Sequence, residues 1–276
     1  MTATSQEPGW LRLWKHSYRL GSRWLMSGVF RGKRVGKVGL QRLLVPLDPW
    51  RYYEMGRIAD ADFTGYCLDV SSPKLLTSLL AAEGRGNWLA TDLFTDELDA
   101  WRGIDRNLVL EQADVRHLPY PDATFDHCMS VSVIEHVPEE GDIRGMAEMF
   151  RVLKPGGLLH LTTQVANHHH DLFKKEALYG NASESSTQGV FFGRSYDEAS
   201  LKKRLLSDPW EIVHREYAIQ KDPTIEAKFY KRAPYSYIYG GALRFICADN
   251  FEITANFPTL PAEEIGMVYL QLRKPC

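Results

Sequence analysis

Asp69, Asp92 and His136 are the residues whose positions first suggest chemistry, because each closes or follows a short apolar run of strand-like character. Asp92 comes about twenty residues after the turn that follows the first such run, a place from which a carboxylate can accept both hydroxyls of a ribose. The same side chain could instead cap the helix that follows it. His136, within Ile134-Glu135-His136-Val137, titrates near neutrality and can take a proton from a hydroxyl or an amine. A capping or structural histidine is the other reading of that residue. His168-His169-His170 does not predict a metal site, since three adjacent side chains cannot all point inward and no carboxylate lies at helical spacing.

These residues need a frame, and the stretch 110–163 supplies its centre. Cys128 to Val133 and Leu158 to Thr162 are apolar runs with β-branched residues. Between them, Asp142 to Leu153 has helical periodicity, with Ile143, Met146, Ala147, Phe150 and Leu153 on one face, and Lys154-Pro155-Gly156-Gly157 ends it. A crossover of this length forces the two strands to lie parallel. Upstream, Trp50 to Ala59 reads as a short helix, and Tyr66 to Val70, Asn87 to Thr91 and Leu108 to Gln112 as three strands. Downstream come a polar loop at Gly180 to Gly189, a helix at Asp197 to Leu206, and strands at Glu211 to Ile219 and Val268 to Leu272.

The words LPYPDATFD, IEHV and RVLKPGG, in this order and at these separations, resemble the class I S-adenosylmethionine (SAM)-dependent methyltransferases, and within them the methyltransferase type 11-like subgroup. The resemblance runs from Pro46 to Pro275. It implies an α/β fold: a doubly wound, seven-stranded, mostly parallel sheet of the Rossmann-like kind, with the last strand inserted antiparallel between the fifth and sixth. SAM would lie across the carboxyl ends of the first strands. The resemblance further implies that Asp69 opens the cofactor loop and that Asp92, followed by Leu93, holds the ribose. Asp114 would receive the adenine amino group while Val115 packs on the ring. Ser130 and Val131 would border the cofactor at the end of the fourth strand, and His136 would stand at the rim facing the methyl group.

The first loop departs from the family's pattern. Where D-x-G-x-G-x-G is usual, the chain reads Asp69-Val70-Ser71-Ser72-Pro73-Lys74-Leu75, with no glycine to let backbone approach the methionine end of the cofactor. Ser72 and Pro73 still make a helix start, a serine cap with proline in the first position, ahead of Leu75, Leu76, Leu79, Leu80 and a closing Gly84. Such a helix can present N–H groups and its dipole to the cofactor's carboxylate, with the Ser71 and Ser72 hydroxyls as further donors.

Over 276 residues, 44% hydrophobic and 25% charged, the composition is that of an ordinary globular protein of one large domain or two small ones. Its formal net charge of -2 conceals a basic arm. Residues 1–45 hold Arg12, Lys15, Arg19, Arg23, Arg31, Lys33, Arg34, Lys37 and Arg42 against Glu7, so the methyltransferase region 46–276 is strongly acidic. Within the arm, Trp10, Leu13, Trp14, Tyr18, Trp24 and Leu25 separate from Arg12, Lys15, His16, Arg19 and Arg23 as on an amphipathic helix. That helix reads either as a lid over the active site or as an element lying at an anionic membrane interface. Tyr52 and Tyr53 precede the first strand, where one could cap the cofactor. The segment 222–265, longer than a hairpin needs and rich in aromatic residues, reads as a substrate-recognition insertion.

Cys67, Cys128, Cys247 and Cys276 lack zinc-binding spacing and read as reduced thiols of a cytoplasmic protein, and no apolar run is long enough to span a bilayer. The acidic body and the absence of an N/D-P-P-Y/W tetrapeptide argue against a nucleic-acid substrate. The expected activity is methyl transfer from SAM to an oxygen, nitrogen or carbon of a small or lipid-like molecule. The alternative is a non-catalytic scaffold that lost the cofactor along with its glycines.

Overall fold

A computed structural model describes residues 7–31, 39–40, 42–44, 46–99, 101–175, 189–225, 244–261 and 264–276. Its elements run α1 (Gly9–Arg31), α2 (Pro49–Ala59), β1 (Tyr66–Val70), α3 (Lys74–Ala82), β2 (Asn87–Asp92), α4 (Thr95–Asp99), β3 (Leu108–Gln112), β4 (Phe125–Val131) and a 3-10 turn at Ile134–His136. There follow α5 (Gly141–Val152), β5 (Leu153–Val165), β6 (His170–Lys174), β7 (Val190–Ser195), α6 (Glu198–Leu205), β8 (Glu211–Gln220), α7 (Arg244–Asp249), β9 (Phe251–Thr254) and β10 (Gly266–Arg273).

The main sheet has the order β3-β2-β1-β4-β5-β10-β8-β9, parallel from β3 to β5 and antiparallel thereafter. The expected insertion of the last strand is present, since β10 lies between β5 and β8. The strand count is eight rather than seven. The extra strand, β9, comes from the 222–265 segment and pairs along β8, covering what would otherwise be an exposed sheet edge. A separate hairpin, β6 with β7, also went unanticipated. The polar loop predicted at Gly180 to Gly189 lies, up to residue 188, outside the described residues, as do Phe229, Tyr230, Tyr235, Tyr237 and Tyr239 of the insertion.

Helices bury both faces of the sheet, as a parallel sheet requires. One face packs Leu13, Leu20, Tyr52, Ile58, Leu76 and Leu80, from α1 to α3, over Cys67, Trp88, Met129 and Val131. The other packs Met146, Met149, Leu201 and Leu205, from α5 and α6, over Leu68, Cys128, Leu159 and Leu161. Cys67 and Cys128 therefore sit on neighbouring strands but belong to opposite cores.

Helix α5 is rotated from its expected orientation. Gly141, Gly145, Met146, Met149 and Val152 face inward, while Ala147 is exposed. The cause is close approach: a Cβ at Gly145 would lie 2.7 Å from Ile134 Cδ1 and 3.0 Å from Val115 Cγ2. Among the described residues, no helix is long and apolar enough to cross a membrane.

His160 on β5 is fully buried against Phe63, His127 and Tyr269. Burial pushes its pKa down to about 3, and His127 adds to the shift. An unfolded histidine titrates near 6.5, so between these values the unfolded chain holds a proton that the native chain refuses. Stability present above that pH is therefore lost progressively as pH falls, and His16, pushed down to about 4 mainly by burial, acts in the same sense. Guanidinium titrations should show unfolding free energy falling by roughly 1 to 3 kcal/mol per pH unit between about 6.5 and 5, with His160→Gln reducing the slope by about 1. An unchanged slope in that variant would contradict the account.

Candidate cofactor and active site

The turn between β1 and α3 keeps its shape without glycine. Ser71 takes the left-handed conformation, φ 55°, which glycine enters at no steric cost, and its N–H donates to Thr91 O at 3.0 Å. The helix begins at Lys74, with Pro73 rather than Ser72 in the cap position, and closes with Gly84 at φ 68° as expected. The buried Ser72 hydroxyl accepts the Val131 N–H at 3.0 Å, tying this turn to the end of β4.

Asp69 is fully buried and draws three donors: the Ser72 N–H at 2.9 Å, the Thr77 hydroxyl, and the Lys74 ammonium at 3.3 Å. Lys74 also donates to Ser72 O at 2.7 Å and lies 3.8 Å from Asp92 Oδ2. A cation on the first turn of a helix opposes the helix dipole, and the two aspartates offset that here. Asp92, at the end of β2, accepts the Phe94 N–H at 3.1 Å, and Leu93 beside it is half-buried. Asp114 follows β3 and is gripped by Arg116, whose Nη2 donates at 2.6 Å. That pairing holds the Asp114 carboxyl below its ordinary range. Val115 is buried, and Ser130 Oγ is buried with no hydrogen-bond partner among the described residues.

The arrangement fits a nucleoside cofactor at the ribose end, where the left-handed Ser71 turn and Asp92 lie at the carboxyl ends of adjacent parallel strands. At the methionine end, serine side chains and a lysine replace glycine backbone. Of the residues expected to hold it, Ser71, Asp92 and Asp114 are partly exposed, whereas Asp69 and Ser72 are buried and bonded within the turn.

A cavity of about 350 Å³ opens at the carboxyl ends of β4 and β5. Its wall includes Arg51 and Glu54 of α2, Ser132, His136, Gln164 and Met267. Glu54 is buried, accepting Ser132 Oγ at 2.5 Å and Arg51 Nη1 at 2.6 Å. Burial pushes its carboxyl up, which makes it a better proton acceptor near neutrality than an exposed glutamate, and nearby Glu135 adds to the shift. Glu135 is also buried, with Oε2 accepting the Thr163 hydroxyl at 2.9 Å. His136 Nδ1 lies 2.6 Å from Phe192 O. A carbonyl only accepts, so Nδ1 carries a proton.

The loop that carries His136 is braced from below. Buried Arg194 of β7 donates to Val137 O at 3.1 Å and Glu139 O at 2.8 Å, while Asp142 accepts Arg204 at 2.7 Å and the Tyr196 hydroxyl at 2.9 Å. Tyr52 and Tyr53 are buried in the core, Tyr52 against Trp10 and Tyr53 against Phe251, and are absent from the cavity wall. Leu13, Leu20 and Trp24 of α1 are buried, but Tyr18 and Leu25 of the expected apolar face are exposed, and no described α1 side chain lines the cavity. Arg51, Glu54, Ser132 and Lys74 were not anticipated. The available signal was an acid, Glu54, inside an otherwise core-forming helix.

Residues 68–161 match a family model described as a methyltransferase domain. The chain is similar to sterol 24-C-methyltransferase erg6 of Schizosaccharomyces pombe, 34% identical over 25% of this chain and 18% of that one. It is also similar to the ubiquinone/menaquinone biosynthesis C-methyltransferase UbiE of Cellvibrio japonicus, 38% identical over 27% of this chain and 28% of that one. Each match spans less than half of the curated relative's length. A solved structure of phosphoethanolamine N-methyltransferase 2 from Haemonchus contortus, in complex with SAM, shares the fold with a TM-score of 0.53 at 15% identity, over 91% of this chain and 59% of that one. Over 68–161 the chain thus resembles a methyltransferase domain, and its fold is shared with a methyltransferase solved in complex with SAM.

Lys74→Met would leave Asp69 buried without its cation. Denaturant titration should register a loss of roughly 3 to 5 kcal/mol, and Lys74→Met with Asp69→Asn should recover part of it. A loss under about 1 kcal/mol would mean that the ammonium does not neutralise the buried acid.

Proposed function

We propose that the protein transfers a methyl group from SAM to an oxygen, nitrogen or carbon nucleophile of a small or lipid-like organic molecule. The observation that carries this reading is the cavity at the carboxyl ends of β4 and β5, whose wall includes Glu54 and His136. Bound SAM supplies an electrophilic methyl on a sulfonium. The chain's part is alignment and exclusion of water, with a base needed only where the nucleophile has a proton to lose. His136 Nε2 is the assigned acceptor for that proton. Glu54, held by Arg51 and Ser132, forms part of the same cavity wall.

The scaffold alternative draws on the ion pairs that Lys74 and Arg116 make with the cofactor-side acids. The left-handed Ser71 turn favours retained binding. Calorimetry separates the two. SAM and its demethylated product should both release heat, and Asp92→Ala should weaken each by about 2 kcal/mol, the scale of charge-assisted hydrogen bonds. Wild-type protein that binds neither supports the scaffold.

For turnover, His136→Gln should lower the rate with little change in product affinity. A rate that is unchanged across pH would remove His136 from the mechanism.

A further inference from the structure

The outward side of α1 has no role in the site described above. From Gly9 to Arg31 this helix contains Arg12, Lys15, Arg19, Arg23 and Arg31 and no acidic residue. Its inward side buries Leu13, Ser17, Leu20 and Trp24. On the outward side, Arg19 and Arg23 are exposed and make no ion pair among the described residues, and Tyr18, Leu25 and Met26 of the same helix are also exposed, Met26 at 69%.

Helix α7 continues this surface. Phe245 is 57% and Ile246 53% exposed. Arg244 lies 4.6 Å from the ring centres of both Trp14 and Phe245, and Trp14 stacks on Tyr18 at 5.1 Å. An open groove of about 630 Å³ runs along α1, walled by Trp14, Lys15, Tyr18, Arg19 and Arg23. The positive potential is felt inside: His16 is pushed down to about 4, first by burial and then by Arg19, Arg42 and Arg23.

We propose that this surface docks the protein on an anionic lipid bilayer, with Arg19 and Arg23 among the headgroup phosphates and Met26, Phe245 and Ile246 at the acyl boundary. Charge complementarity selects the sign of the partner, since exposed guanidinium groups that make no ion pair among the described residues favour a negative surface. The interleaved apolar side chains select its class. A nucleic-acid backbone offers them nothing to bury against, whereas a headgroup layer takes arginine and large apolar groups on the same face. Exposed aromatic and aliphatic groups gathered on one face mark an interaction surface.

The test sediments the full chain with vesicles of phosphatidylcholine alone and with about a third of the lipid replaced by phosphatidylserine. Binding should require the anionic lipid and weaken tenfold or more as salt rises to about 1 M, where the Debye length is about 3 Å. Arg19→Glu with Arg23→Glu should lower partitioning at least tenfold. Phe245→Ser with Ile246→Ser should lower it several-fold while leaving the salt dependence. Circular dichroism and thermal melting identify folded variants, and if the arginine reversal misfolds, Arg19→Gln with Arg23→Gln replaces it with the same expected direction. Equal binding to neutral vesicles, no binding to either, or full binding by a folded arginine variant overturns the proposal. So does tighter binding to duplex DNA than to anionic vesicles.

Discussion

A carboxylate with no access to solvent governs the cofactor end of this protein. Asp69 stands at the last turn of β1 with its side chain fully buried, and a charge in that position must be met by donors or be neutralised. The donors that meet it, from Ser72, Thr77 and Lys74, are the residues that turn the chain from strand into helix. Satisfying one acid thus closes the turn. Elsewhere glycine would remove the steric cost of a left-handed residue. Here Ser71 adopts that conformation, at a cost on the order of 1 kcal/mol, and the hydrogen bonds around Asp69 offset it. The loop's shape is retained by electrostatics where the family uses the absence of a Cβ. One consequence is that Asp92 meets any ligand with a lysine ammonium already 3.8 Å away.

A second buried acid shapes the cavity. Glu54 reaches from α2 to Ser132, which itself holds φ at 50° just beyond β4. Strained backbone of this kind persists where the surroundings over-determine it. Ser132 is fixed on one side by its hydroxyl's bond to Glu54 and on the other by its N–H donated to Thr162 O at 3.0 Å. Below it, the Asp142, Arg194 and Arg204 cluster holds the carbonyls of Val137 and Glu139, so the segment carrying His136 is anchored at both ends. Gly193 completes the fit, because a Cβ there would lie 2.9 Å from His136 Nδ1.

The parallel half of the sheet was legible because its central strands are largely buried and read as apolar runs, and the β4-α5-β5 crossover was legible from its length. β1 and β3 fall on their predicted bounds, and the place of β10 followed from the resemblance. What was not legible depended on contacts between distant segments. The inward face of α5 is set by Gly145 approaching Ile134 and Val115, which no periodicity reveals. β9 forms because β8 offers an edge. In the site, the strand-end aspartates could be placed by position alone, but Lys74 reads in sequence as an ordinary helix residue. Its ammonium turns back beneath the preceding turn only because two acids wait there. Arg51 and Glu54 reach the cavity from a helix that precedes the first strand, so their proximity to His136 has no local signature.

Helix α2 joins the two surfaces of interest. Arg51 and Glu54 on its cavity side share the helix with Tyr52 and Gly56, which face α1. A Cβ at Gly56 would lie 3.0 Å from Trp10 Cβ, and one at Gly9 would collide with Gly56 O, so the two helices cross backbone against backbone. Trp50, in the cavity wall, also packs on Phe251, the first residue of β9, two positions beyond the end of α7. Close packing of this kind transmits displacement rather than absorbing it. A force applied along α1 from outside therefore bears directly on the helix that carries Glu54. The glycines at the crossing are what make that contact stiff.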